Sequence, residues 1–125
     1  MEFPKQFSYS KDHEWIHFVN DRARIGITEF AQRELGDIVF VEVKEPGTPL
    51  EAGDIFGTIE AVKTVSDLFM PVHGTIAVVN PKLVNEPELV NKDPYGEGWI
   101  MEISFSAAGE LPGLMDAESY RAMVE

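Results

Sequence analysis

The sequence has no cysteine, which excludes disulfides, thiolate zinc sites and cysteine nucleophiles and fits a reducing compartment. No apolar run approaches the roughly 20 residues of a membrane span, and the start, Met-Glu-Phe-Pro-Lys-Gln-Phe-Ser, is not a basic segment leading into an apolar one. The expectation is a cytoplasmic chain that does not enter a membrane. Positive charge is scarce, with ten Lys and Arg against twenty-two Asp and Glu, a formal net charge of −12. Such a surface repels nucleic acid and attracts basic faces of protein partners. Gly-x-Ser-x-Gly, the phosphate loop and the glycine-rich dinucleotide fingerprint are all missing, and no pair of carboxylates stands out for acid–base work.

What is present reads as one domain over residues 1–125, without linker or low-complexity tract. Glu14–Val19 and Arg22–Ile27 read as strands joined at Asn20-Asp21, a pair tolerant of left-handed backbone. Thr28 caps a short helix through Leu35, and Gly36 suits its end. A strand over Ile38–Val43 runs into turn signals at Glu45-Pro46-Gly47 and Glu51-Ala52-Gly53-Asp54. Ile55, Ile59 and Ala61 share one parity in the strand that follows, and Gly74–Val79 reads as the next strand. Gly57-Thr58-Ile59 recurs as Gly74-Thr75-Ile76, a weak internal echo. Short helical turns or an ordered loop suit Asn80–Asn91, and a strand with Trp99, Met101, Ile103 and Phe105 on one face follows. Asp116 caps a terminal helix, 116–124, that turns Tyr120 and Met123 onto the body. Residues 1–8 read as an N-terminal extension.

One motif invites a metal reading. His13-Glu14-Trp15-Ile16-His17 matches the H-E-x-x-H pattern, whose chemistry needs a helix to bring both imidazoles to one zinc. Here the surroundings read as strand, which separates residues four apart by roughly 13 Å, so no metal site is expected.

The more informative feature is Lys63, at the end of the strand Ile55–Ala61 with another strand-like run after it. That placement holds an amine out at a hairpin tip, where an enzyme can acylate it and convert the scaffold into the handle of a cofactor arm.

The residues around Lys63 resemble the attachment motif of lipoyl-bearing proteins. The chain from Tyr9 to Val124 resembles the glycine cleavage system H-protein family. The matching blocks are His13-Glu14-Trp15, Gly26-Ile27-Thr28, Leu35–Glu42, Glu60-Ala61-Val62-Lys63, Ser66-Asp67 and Asn91–Trp99. Ala61 departs from a serine common in the family, and Thr64-Val65 from a pair that is often small. Biotin carriers usually flank their lysine with methionines, whereas Val62 and Thr64 stand here.

The resemblance implies a mainly β lipoyl/biotinyl-type hybrid barrel-sandwich with short flanking helices and a C-terminal helix. It implies a non-enzymatic carrier with lipoate covalently on Lys63 and a lipoylation signal at Glu60 and Gly74, where Gly74 is also expected to turn the chain through a positive φ. It further implies docking of the loaded arm on Glu14, with Asp67 and Asp12 in support. The carrier would take the aminomethyl group from glycine decarboxylase, the P protein, to aminomethyltransferase, the T protein. It would pass electrons to dihydrolipoamide dehydrogenase, the L protein, after acylation by a lipoate ligase or octanoyltransferase. The alternative role is a relay donating lipoyl or octanoyl groups to other lipoyl domains.

Overall fold

Strands form wherever apolar residues alternate with polar ones and a turn residue ends the run. In the computed structural model, which describes residues 1–105 and 113–125, β1 is Ser8–Tyr9, β2 Glu14–Val19, β3 Arg22–Ile27 and β4 Ile38–Val43. They are followed by β5 (Pro49–Leu50), β6 (Ile55–Ala61), β7 (Val65–Phe69), β8 (Gly74–Val79) and β9 (Met101–Ser104). The helices are α1 (Glu29–Leu35), α2 (Leu89–Lys92) and α3 (Ala117–Val124), with a 3₁₀ turn at Pro81–Val84. None of the described helices is long and apolar enough to cross a membrane.

Nearly all the local signals act as expected. Asn20 takes φ 57° in the β2–β3 turn. The Thr28 side chain accepts from the Ala31 N–H at the start of α1, Gly36 ends that helix at φ 83°, and Asp116 accepts from the Ser119 N–H at the start of α3.

The strands make two open sheets, β1-β2-β3-β9-β8-β5 and β4-β6-β7, antiparallel at every pairing. The fold is therefore the mainly β one expected, with short helices and a C-terminal helix. Both sheets contribute to one core: Ile16, Ile25 and Ile103 from the larger, Phe56, Ile59 and Leu68 from the smaller. Each such side chain contributes about 1.5–3 kcal/mol by leaving water. Trp15 faces away from Ile16 and joins Phe7, Tyr9, Ala117 and Tyr120 in a second cluster, which ties the N-terminal segment and α3 to the sheet.

Several expectations are corrected. The hairpin partner of β6 is β7, while β8 lies in the other sheet. A register shift between Ile55 and Gly57 turns Phe56 into the core and leaves Ile55 exposed, so the strand's parity breaks at its start. Ile100 is buried because its N–H reaches the Ile25 carbonyl and its carbonyl the Asn80 N–H, ahead of β9 proper. Met123 faces solvent, and Ala117, Tyr120 and Val124 carry the packing face of α3 instead. Gly74 does not have a positive φ. It is needed because a methyl there would stand 2.8 Å from the Ser104 carbonyl oxygen and 2.9 Å from Ile103. Gly57 meets the Glu42 carbonyl in the same way, so both halves of the Gly-Thr-Ile echo place glycine under a neighbouring strand and isoleucine in the core.

Candidate functional site

Lys63 occupies the tight turn between β6 and β7, closed by a 2.7 Å hydrogen bond from the Ala61 N–H to the Thr64 carbonyl. A second bond, from the Val62 N–H to the Asp37 carbonyl at 3.0 Å, fastens the turn to the end of α1. The lysine is exposed and makes no ion pair among the described residues. Its stem lies over Gly36, where an added methyl would sit 3.1 Å from Cε. Gly36 thus serves both the left-handed helix end and the bed of the lysine.

Asn91 holds that bed in place. Its amide donates to the Gly36 carbonyl at 2.8 Å and to Gln32 at 2.9 Å, and its oxygen accepts from the Ile38 N–H at 2.9 Å. One side chain therefore joins the end of α1, the start of β4 and α2.

Beside the turn, between α1 and β7, lies a cleft of about 370 Å³. Its apolar surface comes from Ile27, Phe30, Ala31, Leu35, Ile59 and Leu68, and its carboxylates are Asp12, Glu34 and Asp67. An apolar trough with acidic groups suits a hydrocarbon arm ending in a cation. A depression of about 450 Å³ elsewhere is lined by His17, Arg22, Arg24 and Glu102, with both guanidiniums on that one carboxylate and no residue of the Lys63 turn.

The expected site residues are thus partly gathered. Asp12 and Asp67 meet at the cleft. Glu60 is exposed on β6, three residues before Lys63. Gly74 opens β8 in the other sheet, with Ser104 and Ile103 as its nearest neighbours.

Glu14 is not on the cleft lining; it is 2% exposed, because strand alternation puts it on the inward side of β2 with Ile16. Its Oε1 accepts from Ser10 Oγ at 3.0 Å, and Oε2 is the one buried side-chain oxygen without a partner among the described residues. Burial pushes its carboxyl well above the ordinary value, helped by the nearby Asp12 charge and opposed by Ser10 and the Phe69 backbone.

The H-E-x-x-H segment is a turn followed by a strand. His13 has φ 67°, and its Nδ1 lies 2.9 Å from Tyr120 Oη, which lies 2.7 Å from Thr28 Oγ1. Burial holds the His13 pKa below its usual range, against the opposing pull of Asp12 and Glu34. His17 packs on Phe7 instead.

The family model described as Glycine cleavage H-protein matches residues 7–125. The chain belongs to the glycine cleavage H-protein family. It is 54% identical over 124 residues to the glycine cleavage system H protein of Bacteroides fragilis, covering 99% of this chain and 98% of that one. It is 55% identical to that of Salinibacter ruber, over 96% of this chain and 97% of the relative. The crystal structure of a glycine cleavage system H protein from Mycobacterium marinum superposes with a TM-score of 0.88 at 40% identity, covering 96% of this chain and 97% of the other. Sequence reasoning misses the site roles of Gly36, Asn91, Glu34 and Tyr120. Gly36 and Asn91 do fall in blocks that match the family, and Gly36 also closes the helix nearest the lysine, whereas no signal marks Glu34 or Tyr120 as site residues.

Proposed function

We propose that the chain is the lipoyl-bearing shuttle of the glycine cleavage system, with lipoate joined by an amide to Lys63 Nζ. The observation that carries this reading is an exposed lysine on a hydrogen-bonded two-strand tip beside an apolar, acid-lined cleft, in a chain of this family. The chain is a carrier, and the catalytic steps belong to its partners.

The group fits the residues present: a free amine, a trough for its hydrocarbon and, two residues along from Asp12 of the cleft, the buried Glu14 with a carboxylate oxygen without a partner among the described residues. When bound it supplies a dithiolane that takes up the aminomethyl unit and, once reduced, yields electrons. Gly36 and Asn91 fix where the tether begins, and the tether makes each delivery a local event. Ile27, Phe30, Leu35 and Leu68 shelter the returning arm from water. Asp67 and Asp12 attract its cationic end at the rim. Glu14 adds an acceptor from within. Glu60 presents a side chain to the acylating enzyme, while Gly74 keeps β8 and β9 in close register.

Glycine decarboxylase loads the carrier, aminomethyltransferase unloads it to tetrahydrofolate with release of ammonia, and dihydrolipoamide dehydrogenase reoxidises it. Reconstitution with these three enzymes tests the reading. Glycine-dependent NADH formation is expected from the acylated chain and not from the unacylated one; equal activity from both contradicts it.

A further inference from the structure

The smaller sheet leaves apolar side chains in water where it meets the Lys63 turn. Register aligns Phe40, Glu60 and Val65 in one row across β4, β6 and β7, and Glu42, Thr58 and Asp67 in the next row but one, with Val41, Ile59 and Ser66 between them. Phe40 is 50% exposed, Val65 64% and Val62, in the turn itself, 75%. The register shift between Ile38 and Phe40 leaves Val39 exposed as well. Four of the ten exposed large hydrophobics among the described residues therefore adjoin one turn, a concentration that marks an interaction surface. The two outward rows carry three carboxylates and no cation, and none of the three is ion-paired among the described residues.

We propose that this face, centred on Phe40, Val62 and Val65, is the docking surface for the enzyme that acylates Lys63, which presents an apolar centre ringed by cations. The proposal rests on Lys63 being the acceptor. Its partner is chosen by geometry: the acylating enzyme must bring an activated carboxyl carbon within bonding distance of Nζ, so it covers the residues flanking the turn. Enzymes that act on the far end of a long arm have no such need. With an acyl adenylate made from lipoate and ATP, the deprotonated Nζ attacks the carbonyl carbon and the C–N bond forms. The bond to the phosphate oxygen breaks, AMP leaves, and the amine's proton passes to solvent. Glu60, already assigned to lipoylation recognition, stands in the middle of the apolar row, and the unpaired carboxylates around it favour a cationic rim on the partner.

The test uses the unacylated full chain with a lipoate ligase, lipoate and ATP, following the initial rate by intact mass. A Phe40→Ser, Val65→Ser double variant is expected to lose about tenfold or more in kcat/KM, chiefly through KM, as for central hydrophobic anchors. Val62→Ser lies in the turn outside the core and carries the test if the double variant does not fold; about a threefold loss is expected. Val19→Ser, an exposed valine on the β2–β3 hairpin, should react at the parental rate. If Val62→Ser, and the double variant where it folds, are acylated at the parental kcat/KM while Lys63→Arg stays unmodified, the docking face is refuted and Lys63 stands. If Lys63→Arg gains the lipoyl mass, the assignment of the lysine itself fails.

Discussion

The outer faces of the two sheets meet the same difficulty in opposite ways. On the larger sheet, Trp15 lies over Gly26 and is covered by Phe7, stacked at 4.6 Å between ring centres, while Arg24 covers Trp99 at 4.4 Å. Tyr120 of α3 stacks on Tyr9 at 4.8 Å. The chain's own ends thus shield that face. On the smaller sheet Phe40 and Val65 stay in solvent beside the one lysine of the β6–β7 turn. The difference teaches that the chain spends its covering segments on the larger sheet's aromatics and leaves four of its ten exposed large hydrophobics beside the handling site.

The most extreme way to probe the contrast is Lys63→Arg, which should fold normally yet lose all acylation and all glycine decarboxylation, since arginine keeps the charge but lacks the amine nucleophile. Intact mass and decarboxylase-dependent bicarbonate exchange read both losses. Next in size, Tyr120→Ala should cost about 3–5 kcal/mol in urea unfolding, because it empties a buried aromatic site and strands His13 and Thr28. Phe40→Ala should cost about 1 kcal/mol or less, being half in water already. Equal costs would erase the distinction between covered and open faces.

A smaller effect separates packing from recognition at Gly74. Gly74→Ala should lose about 1–3 kcal/mol as the methyl presses on the Ser104 carbonyl. Its acylation, corrected for the folded fraction, should stay near parental; a further large loss would give Gly74 a direct part in enzyme recognition.

The least of the effects is a pH slope. Glu14 titrates in the folded chain above its ordinary value of 4.5, so as pH rises the unfolded chain loses this proton first. Its contribution to stability is full below the unfolded value and declines as pH climbs toward the folded one. Glu14→Gln removes that decline, so its urea midpoint should gain on the parent's from about pH 4.5 upward. A gap that narrows instead would mean Glu14 is ionised and satisfied in the fold.

Much of this architecture is legible residue by residue. Strands β2 and β3 and helix α1 are bounded by Asn20, Thr28 and Gly36, whose local backbone preferences act whatever surrounds them, and β4 and β8 are legible as short runs rich in β-branched residues. Strand β7 escapes such reading because Ser66 and Asp67 look like turn residues, and only pairing with β6 makes them strand. The burial of Glu14 follows from its parity with Ile16, a clue outweighed by its acidic side chain. Lys63 stands out from its neighbours in sequence. The roles of Asn91 and Tyr120 do not, since their partners lie 55 and 107 residues away and only the finished fold brings them together.

The most direct measurement is intact mass with peptide mapping of the chain isolated from cells actively breaking down glycine. The expected result is one lipoyl adduct, on the peptide holding residue 63. A bare lysine there while glycine cleavage proceeds through this chain, or an adduct mapped to another lysine, would contradict the account.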